Sequence, residues 1–378
     1  MSKRTENCRY KVQLIHAHHT VPTRSNEQKN LADAIQEECP NLAHGARFIP
    51  SPFVPGPHAQ TIYAFLAYYV YYAESIVFPK FTRELFKLPD GGTLALDWAR
   101  CKNHTERPVV VIISGVTGTS NDFYVRRSYA ALLKLEYSVV VVHSRGCGGS
   151  KLTTPTPFHC GYTGDYREVV DHLHTTLPDC KLLGLGFSLG ANILAKYIGE
   201  EGSSCPLTAG IAVGNPYDLY KVVVHLDSQS ILYPSKVYGV AILNFLKSTF
   251  ADNKKQILDV PVDLDVDRIQ FAPSLVEFTE ALTRRVYGYP SARALFEDSN
   301  SGDVLHNIQI PVLFLNSLDD PICVERLIPY KAFMANPYIV LGLTEHGGHI
   351  GYMGRIWPTS WIELPVTQFF QCVLKHYG

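Results

Sequence analysis

The sequence has almost no net charge and no paired cysteines, and these absences exclude several classes of protein. Its 34 basic and 35 acidic side chains give a formal net charge of -1 over 378 residues. No excess of positive charge therefore indicates a nucleic acid or an anionic lipid as partner. The nine cysteines are scattered without a C-x-x-C pair, which argues against a zinc site or a disulfide framework and predicts reduced thiols in an intracellular protein.

The patterns of a signal peptide and of a membrane-spanning helix are also missing. The N-terminal 20 residues have neither an apolar core nor a cleavage site. No stretch reaches the ~20 consecutive apolar residues of a spanning helix, and the nearest, residues 61–77, contains five tyrosines. We expect an amphipathic helix there, either packed on the domain or lying at a membrane interface. The predicted localisation is intracellular, in the cytoplasm or peripherally associated with a membrane.

The chain does contain the alternation of strands and helices that is typical of α/β proteins. Residues 1–43 are polar and are predicted to be a loosely ordered arm, and residues 44–82 hold a proline-rich segment and the tyrosine-rich helix. Residues 83–216 and 308–378 alternate apolar runs with helical segments, which predicts a mostly parallel central sheet with helices on both faces. Residues 217–307 show helical patterns without a comparable strand, so they are predicted to form a helical cap.

Three loops rich in small residues follow predicted strands. One begins at Ser114 after the apolar run 109–113, a second begins at Ser144 after the run 139–142, and the third surrounds Ser188. Ligands bind at the carboxyl ends of the strands of parallel sheets, so these loops should lie together at one edge. Neither of the first two has the G-x-G-x-x-G or G-x-x-x-x-G-K-[ST] spacing of a nucleotide-binding loop.

The strongest chemical signal is the serine at the centre of the segment GFSLG, residues 186–190. An apolar run at 182–185 precedes it, and apolar residues recur at helical spacing after it. A strand, a tight turn and a helix of this kind require glycine two positions before and after the serine, because side chains there would obstruct the approach of strand and helix. The pattern predicts a nucleophile elbow with Ser188 as the catalytic nucleophile.

A serine hydroxyl is activated by an imidazole that takes its proton and by an acid that holds the imidazole. In hydrolases with such an elbow, the acid and then the histidine follow the serine along the chain. Asp319 and Asp320 belong to the segment NSLDDP at 316–321, which comes directly after the apolar run VLFL. Asp320 is the preferred acid because its place before Pro321 puts it at the tip of the loop, and Asp319 is expected to bond backbone N–H groups of the turn.

Two histidines, His346 and His349, follow the last predicted strand at 338–341. His349 is the preferred base because Gly347 and Gly348 allow the loop to bend sharply and to present this side chain inward.

The negatively charged oxygen of an acyl-transfer transition state requires hydrogen-bond donors. The backbone N–H of Leu189, the residue after the nucleophile, is one predicted donor. The backbone N–H of Val116, in the loop after the run 109–113, is the other. Thr117 carries a hydroxyl that either adds a donor or stabilises the turn.

Several polar residues near these loops are predicted to have structural roles instead. Arg145 is expected to brace its glycine-rich loop, and Asp165 is expected to cap the helix that follows it. His174 and Asp179 fit an H-x-x-x-x-D acyltransferase pattern, but their place at a helix end favours a structural interpretation.

A series of short segments resembles the fourth AB-hydrolase family of α/β-hydrolase-fold proteins. This family includes bacterial YheT-type hydrolases, yeast medium-chain ethyl ester synthase/esterases, and animal monoacylglycerol lipase and phospholipase members. The segments are HAQTI at 58–62, DGG at 90–92, LDW at 96–98, GVTGTS at 115–120, SRGCGG at 144–149, GFSLGAN at 186–192, DDPI at 319–322 and HGGHIG at 346–351. The resemblance implies an α/β-hydrolase fold, a triad of Ser188, Asp320 and His349, and hydrolysis of carboxylic or lipid esters without a metal or a cofactor.

The sequence therefore predicts a serine esterase or lipase that acts on short- to medium-chain acyl esters or on lipid esters. The expected partner is a small-molecule ester or lipid, with no nucleic acid and with a membrane surface as a peripheral contact. Two alternatives stay open. One is an acyltransferase that makes esters from an alcohol with the same residues, and the other is a catalytically silent hydrolase-fold protein that binds a ligand.

Overall fold

The computed structural model describes residues 10–25, 27–70, 80–228, 235–356 and 359–378, and the side chains of residues 67–70 and 235 are outside this description. The strands are β1 Gln13–His16, β2 Val21–Pro22, β3 Gln28–Lys29, β4 Thr82–Lys87, β5 Thr93–Ala99, β6 Val109–Ile113, β7 Ser138–His143, β8 Leu182–Phe187, β9 Ala209–Val213, β10 Val312–Ser317, β11 Ile339–Thr344, β12 Met353–Gly354 and β13 Thr359–Ser360. The helices are α1 Leu31–Glu38, α2 Gly56–Val70, α3 Phe123–Lys134, α4 Gly164–Thr176, α5 Leu189–Glu201, α6 Leu219–Ser228, α7 Ser235–Asp252, α8 Lys254–Ile257, α9 Val266–Gln270, α10 Leu275–Ala281, α11 Thr283–Val286, α12 Ala292–Asp298, α13 Tyr330–Ala335 and α14 Glu363–His376.

The centre of the molecule is a nine-stranded sheet in the order β1-β11-β10-β9-β8-β6-β7-β5-β4. The strands from β7 to β11 in this order pair in parallel, whereas β1, β4 and β5 pair antiparallel with their neighbours. The prediction of a mostly parallel sheet is confirmed. Because parallel strands end at the same edge, the loops after β6, β8, β10 and β11 lie side by side.

The parallel strands of the sheet, β6 to β11, are buried on both faces. Successive residues of a strand point to opposite sides, so in β6 Val110 and Ile112 pack with α1, α3 and α14, while Val109, Val111 and Ile113 pack with α4, α5 and α13. All five side chains are buried, which explains why this strand is a continuous apolar run in the sequence. The predicted helices on both faces are confirmed.

The N-terminal segment differs from the loosely ordered arm predicted for residues 1–43. Strand β1 pairs antiparallel with β11 at the edge of the main sheet. Helix α1 begins where the Asn30 side chain accepts the N–H of Ala32, and it buries Leu31 and Ile35. All four residues of β1 are only half-buried, so the strand lacks the apolar alternation by which an edge strand is recognised. Residues 1–9 lie outside the described residues.

The tyrosine-rich helix predicted at 61–77 corresponds to α2, which begins earlier, at Gly56. Residues 71–77 lie outside the part of the chain that the structure describes. Within that part, every helix is too short or too polar to cross a bilayer.

The chain between β9 and β10 corresponds to the segment predicted as a helical cap. Its described residues form helices α6 to α12 and no strand. Their apolar side chains make a cluster separate from the two faces of the sheet, and Leu189 at the start of α5 belongs to it. The helical segment therefore packs directly against the residue that follows Ser188.

Candidate active site

The turn at Ser188 is strained in the manner that a nucleophile elbow requires. Ser188 joins β8 to α5 with φ 54° and ψ -119°, a conformation that L-residues rarely adopt and that concentrates at functional sites. A Cβ atom on Gly186 would lie 2.5 Å from the Gly190 carbonyl oxygen, and one on Gly190 would overlap the Ile113 carbonyl oxygen. Glycine is required at both positions, and the turn leaves Ser188 half-buried.

The structure brings Ser188, His349 and Asp320 together in one hydrogen-bonded chain. The Ser188 Oγ atom lies 2.7 Å from His349 Nε2, and His349 Nδ1 lies 2.8 Å from Asp320 Oδ2. His349 and Asp320 are 1% and 4% exposed, so water competes little for these bonds. In this geometry Nδ1–H donates to the carboxylate and Nε2 accepts the serine proton, which is the arrangement that activates a serine.

The loop after β10 gives its two carboxylates different contacts. The second oxygen of Asp320, Oδ1, accepts the backbone N–H groups of Ile322 and Cys323, both at 2.8 Å. These bonds fix the carboxylate and leave Oδ2 for His349. Asp319 instead accepts the Gly348 N–H at 2.9 Å, so it braces the loop that carries His349.

His346, the histidine not preferred from the sequence, contacts Asp319 rather than the serine. Its Nδ1 atom lies 3.3 Å from Asp319 Oδ2, and its side chain is 32% exposed. Of the two Asp–His pairs at this edge, Asp320 and His349 therefore connect to Ser188, whereas Asp319 and His346 contact each other.

Sequence reasoning missed two residues of α2 that hold the His349 loop. Thr61 Oγ1 accepts the His349 N–H at 2.9 Å. The Gln60 side chain accepts the Met353 N–H at 2.6 Å and donates to the Met353 carbonyl at 3.1 Å. Both side chains are fully buried. The only signal in the sequence was their place in the HAQTI segment, which carried family resemblance but no contact information.

The loop after β6 lies against the elbow. A Cβ atom on Gly115 would stand 3.5 Å from Ser188 Cβ, and Val116 and Thr117 line the same cavity as Ser188. Leu189 is the first residue of α5, and the first N–H groups of a helix have no intrahelical partner. The two predicted oxyanion donors thus belong to segments that meet beside Ser188.

Two apolar cavities meet at Ser188. The first has a volume of about 100 Å³ and runs beneath the helical segment between β9 and β10, where Leu219, Val223 and Phe296 line it together with Val116. The second is a groove of about 460 Å³ that opens between α2 and α7, and it is lined by Ile62, Phe65, Leu66, Val237, Phe245 and His349. Such cavities suit a ligand with apolar parts on both sides of the serine.

One set of donor atoms among the described residues is close enough together to hold a metal ion: those of Asp320, Cys323 and His349 lie within 4.8 Å of one another. Burial raises the pKa of the Cys323 thiol, which disfavours the thiolate that binds metals. The Cys323 thiol donates to the Gly214 carbonyl at 3.3 Å. These contacts favour the hydrogen-bonded chain over a metal centre.

The remaining sequence candidates lie away from Ser188. The Arg145 guanidinium bonds Asp90 at 2.6 Å and Asp165 at 2.7 Å, so it braces its loop. The prediction that Asp165 caps α4 is wrong, because its carboxylate is engaged by Arg145 and Thr163 occupies the cap position. His174, in the last turn of α4, is exposed at the surface.

Comparisons with known proteins agree with this architecture. Residues 108–354 match the model of the alpha/beta hydrolase fold family. The chain is 31% identical over 307 residues to the human phospholipase ABHD3, a match that covers 79% of this chain and 73% of the relative. It is 26% identical to the monoacylglycerol lipase of Saccharomyces cerevisiae, with 92% and 86% covered, and 26% identical to the putative esterase YheT of Escherichia coli, with 91% and 99% covered.

Solved structures show the same fold at low sequence identity. The esterase Pf2001 of Pyrococcus furiosus superposes with a TM-score of 0.52 at 16% identity and covers 81% of this chain and 94% of that one. The 2,6-dihydroxy-pseudo-oxynicotine hydrolase superposes with a TM-score of 0.50 at 16% identity, with 85% and 75% covered. The family match spans more than half of the sequence and the sheet has the parallel core that the family requires, so this chain belongs to the α/β-hydrolase fold family.

Proposed function

We propose that this chain is a serine carboxylic-ester hydrolase that acts on short- to medium-chain acyl esters or on lipid esters. The observation that supports this most strongly is the unbroken hydrogen-bonded chain from Asp320 through His349 to the Ser188 Oγ atom, at the junction of two apolar cavities. Relatives named phospholipase, monoacylglycerol lipase and esterase share the family.

In the mechanism that we propose, Ser188 Oγ attacks the ester carbonyl carbon while its proton passes to His349 Nε2. The carbonyl oxygen becomes an oxyanion that accepts the N–H groups of Leu189 and Val116. Asp320 stabilises the imidazolium that forms. The tetrahedral intermediate then expels the alcohol, which takes the proton from His349, and the acyl group stays on Ser188.

Water completes the cycle. It gives a proton to His349 as its oxygen attacks the acyl carbon, and a second oxyanion forms in the same place. The Ser188 Oγ bond to the acyl carbon then breaks, Oγ recovers the proton from His349, and the carboxylic acid leaves. Apart from the attacking water, every group in this mechanism belongs to this chain.

The two cavities support an ester with apolar groups on both sides of its carbonyl. The narrow cavity of about 100 Å³ is suited to the acyl chain, since its lining comes from the helices that cover Ser188. The groove of about 460 Å³ is wider and opens to the surface, so it would take the alcohol portion of the substrate. This division favours lipid-like esters over esters of small polar acids.

The outer faces of α2 and α7 support peripheral contact with a lipid surface. Ile62, Phe65 and Leu66 on α2 and Val237 and Val240 on α7 are between 40% and 59% exposed. Contiguous apolar exposure beside a ligand groove is typical of a contact site. Replacing Phe65 and Leu66 together with glutamate should reduce co-sedimentation with phosphatidylcholine vesicles. Equal co-sedimentation of the wild type and the double variant would reject this contact.

Transfer of the acyl group to an alcohol is a second candidate activity. The chain is 28% identical to the medium-chain fatty acid ethyl ester synthase/esterase 2 of Saccharomyces cerevisiae, with 92% of this chain and 90% of the relative covered. An alcohol that enters the groove could replace water at the acyl-enzyme. Product analysis with added ethanol tests this, since ethyl ester should accumulate at the expense of free acid.

The decisive experiment for the proposed function is labelling with a fluorophosphonate probe. The wild type should be labelled and Ser188→Ala should not. The control Ser150→Ala removes a loop hydroxyl that donates a hydrogen bond to the Cys147 carbonyl, and it should be labelled normally. A panel of p-nitrophenyl esters of increasing acyl length would then measure specificity. A folded wild type that neither labels nor hydrolyses any ester would reject the proposal in favour of a silent binding protein.

A further inference from the structure

We propose that Tyr124 is a positioning residue for the oxyanion site, because its side chain joins the Gly115–Val116 loop to the strand end that carries Ser188. The inference rests on the proposed ester-hydrolase function and adds a residue that neither the motifs nor the triad geometry assigns. Tyr124 lies in the first turn of α3 and is 1% exposed.

The Tyr124 hydroxyl fixes the loop from one side. It accepts the Gly115 N–H at 3.2 Å, and Gly115 directly precedes Val116, the predicted donor. The loop is also closed on itself, since the Gly118 N–H donates to the Gly115 carbonyl at 2.9 Å. With both polar groups of Gly115 bonded, the peptide that joins Gly115 to Val116 has a defined orientation.

Asp122 lies beside the same hydroxyl, since a Cβ atom on Gly118 would meet both of them. Burial raises the pKa of the Asp122 carboxyl and Tyr124 acts to lower it, and Thr119 Oγ1 donates to Asp122 Oδ1 at 3.3 Å. A Cβ atom on Gly118 would lie 3.0 Å from Asp122 Oδ2 and 2.9 Å from Ser114 Cβ and would overlap the hydroxyl itself. The loop therefore closes tightly over these two side chains.

The charge of Asp122 depends on its burial. Burial raises its pKa to about 6, and the groups that act against this are Tyr124 and Thr119 in its own turn and His143 at the end of β7. Above that pH the carboxylate beside the Tyr124 hydroxyl is charged. The oxygen lone pairs of Tyr124 then remain available for the Gly115 N–H.

The aromatic ring of Tyr124 contacts the second half of the site. Its centroid lies 4.8 Å from that of Phe187, the last residue of β8 and the one before Ser188. One side chain thus touches both segments that supply the predicted donors, Val116 on one side and Leu189 on the other. Its position sets the spacing between those two N–H groups.

Loss of the hydroxyl should weaken transition-state binding and leave substrate binding intact. The apolar cavities bind the substrate in the ground state, whereas the oxyanion donors act when the carbonyl oxygen becomes charged. Removing a donor outright lowers kcat by about 10²–10³. Displacing Val116 without deleting its N–H should therefore lower kcat by about 10- to 100-fold and should change KM less than about twofold.

The test compares Tyr124→Phe with the wild type on a p-nitrophenyl ester. A trifluoromethyl ketone, which forms a hemiketal oxyanion on the serine, should inhibit the variant more weakly by the same factor as kcat. Tyr166→Phe is the matched control: its hydroxyl is also buried but donates to the Val111 carbonyl at 3.4 Å, so kcat and inhibition should stay near the wild-type values. If Tyr124→Phe folds poorly, Asp122→Ala is the second test. It should show the same loss of kcat with an unchanged KM.

The outcomes separate this inference from the proposed function. An active, labelled wild type with unchanged kcat and inhibition in Tyr124→Phe, or in a folded Asp122→Ala, would overturn the positioning role and leave the hydrolase standing. A wild type that hydrolyses no ester would reject both. A parallel rise in KM and fall in kcat with lowered thermal stability would show a structural role only, and would also overturn the inference.

Discussion

Replacing Thr61 with valine should impair the site from a position that touches neither substrate nor serine. Thr61 Oγ1 accepts the His349 N–H at 2.9 Å and donates to the Pro57 carbonyl at 2.8 Å. Valine has nearly the same shape but accepts no hydrogen bond. The His349 N–H is buried, so in Thr61→Val it would be left without a partner, and the loop would shift to find one.

The size of the effect follows from these contacts. A buried N–H without a partner costs about 1–3 kcal/mol, so the free energy of unfolding should fall by about that amount. For activity, the critical distance is the 2.7 Å between His349 Nε2 and Ser188 Oγ. A misplacement of about 1 Å at a reacting pair can cost about 10²-fold in rate. We therefore expect kcat to fall about 10- to 100-fold.

Three measurements test this prediction together: kcat on a p-nitrophenyl ester, the rate of fluorophosphonate labelling, and urea unfolding. Thr61→Ser is the matched control, because it keeps the hydroxyl and removes only a methyl group, so its kcat should stay close to that of the wild type. If Thr61→Val and Thr61→Ser lost activity equally, packing rather than the hydrogen bond would be responsible, and the reasoning would be refuted.

Further predictions concern the acid, the elbow and the pH dependence of stability. Asp320→Asn should lower kcat by about 10⁴-fold, the order seen when a triad acid is neutralised. Asp319→Asn should lower kcat by about tenfold or less, because it loosens only the loop. Equal losses of kcat in steady-state assays would contradict the choice of Asp320 as the acid. Gly190→Ala should destabilise the fold by about 1–3 kcal/mol or more and should abolish fluorophosphonate labelling. A variant that melts at the wild-type temperature and is labelled normally would exclude the steric argument. Burial raises the pKa of Asp122 from 3.8 to about 6, so the folded state holds more protons than the unfolded state between these values, and the unfolding free energy should fall as pH rises from about 4 to 6. The free energy of unfolding of Asp122→Asn, measured by urea unfolding, should not show this fall between about pH 4 and 6. If the wild type and the variant depended on pH in the same way, this prediction would be refuted.

The sequence could predict the position of the candidate site because the residues proposed for it lie at strand ends. Ser188 stands between two glycines whose necessity is purely steric, and that requirement is local. Asp320 and His349 follow buried strands in the order that the elbow demands. Parallel strands end at one edge, so three residues far apart in the sequence could be expected to meet.

The parts that could not be predicted depend on contacts between distant segments without a local pattern. Thr61 meets His349 across 288 positions, and nothing in α2 alone indicates that its polar side chains face a loop. Asp165 has the chemistry of a helix cap, yet α4 already begins at Gly164 and Arg145 gives its carboxylate a charge-assisted partner. Strand β1 has four half-buried residues, so its pairing could not be recognised from alternation.

The pairing of β1 also has a consequence for how the molecule is made. Gln13 lies opposite Leu343 and His16 opposite Val340, so a strand near the beginning of the chain has its partner near the end. Synthesis delivers the chain N-terminus first, and β1 must wait unpaired until β11 has left the ribosome. His349 emerges later still, so its hydrogen bond with Ser188 cannot form during the same interval. The sheet edge and the candidate site therefore both require the same C-terminal part of the chain, and strand pairing over so long a separation in sequence is slow.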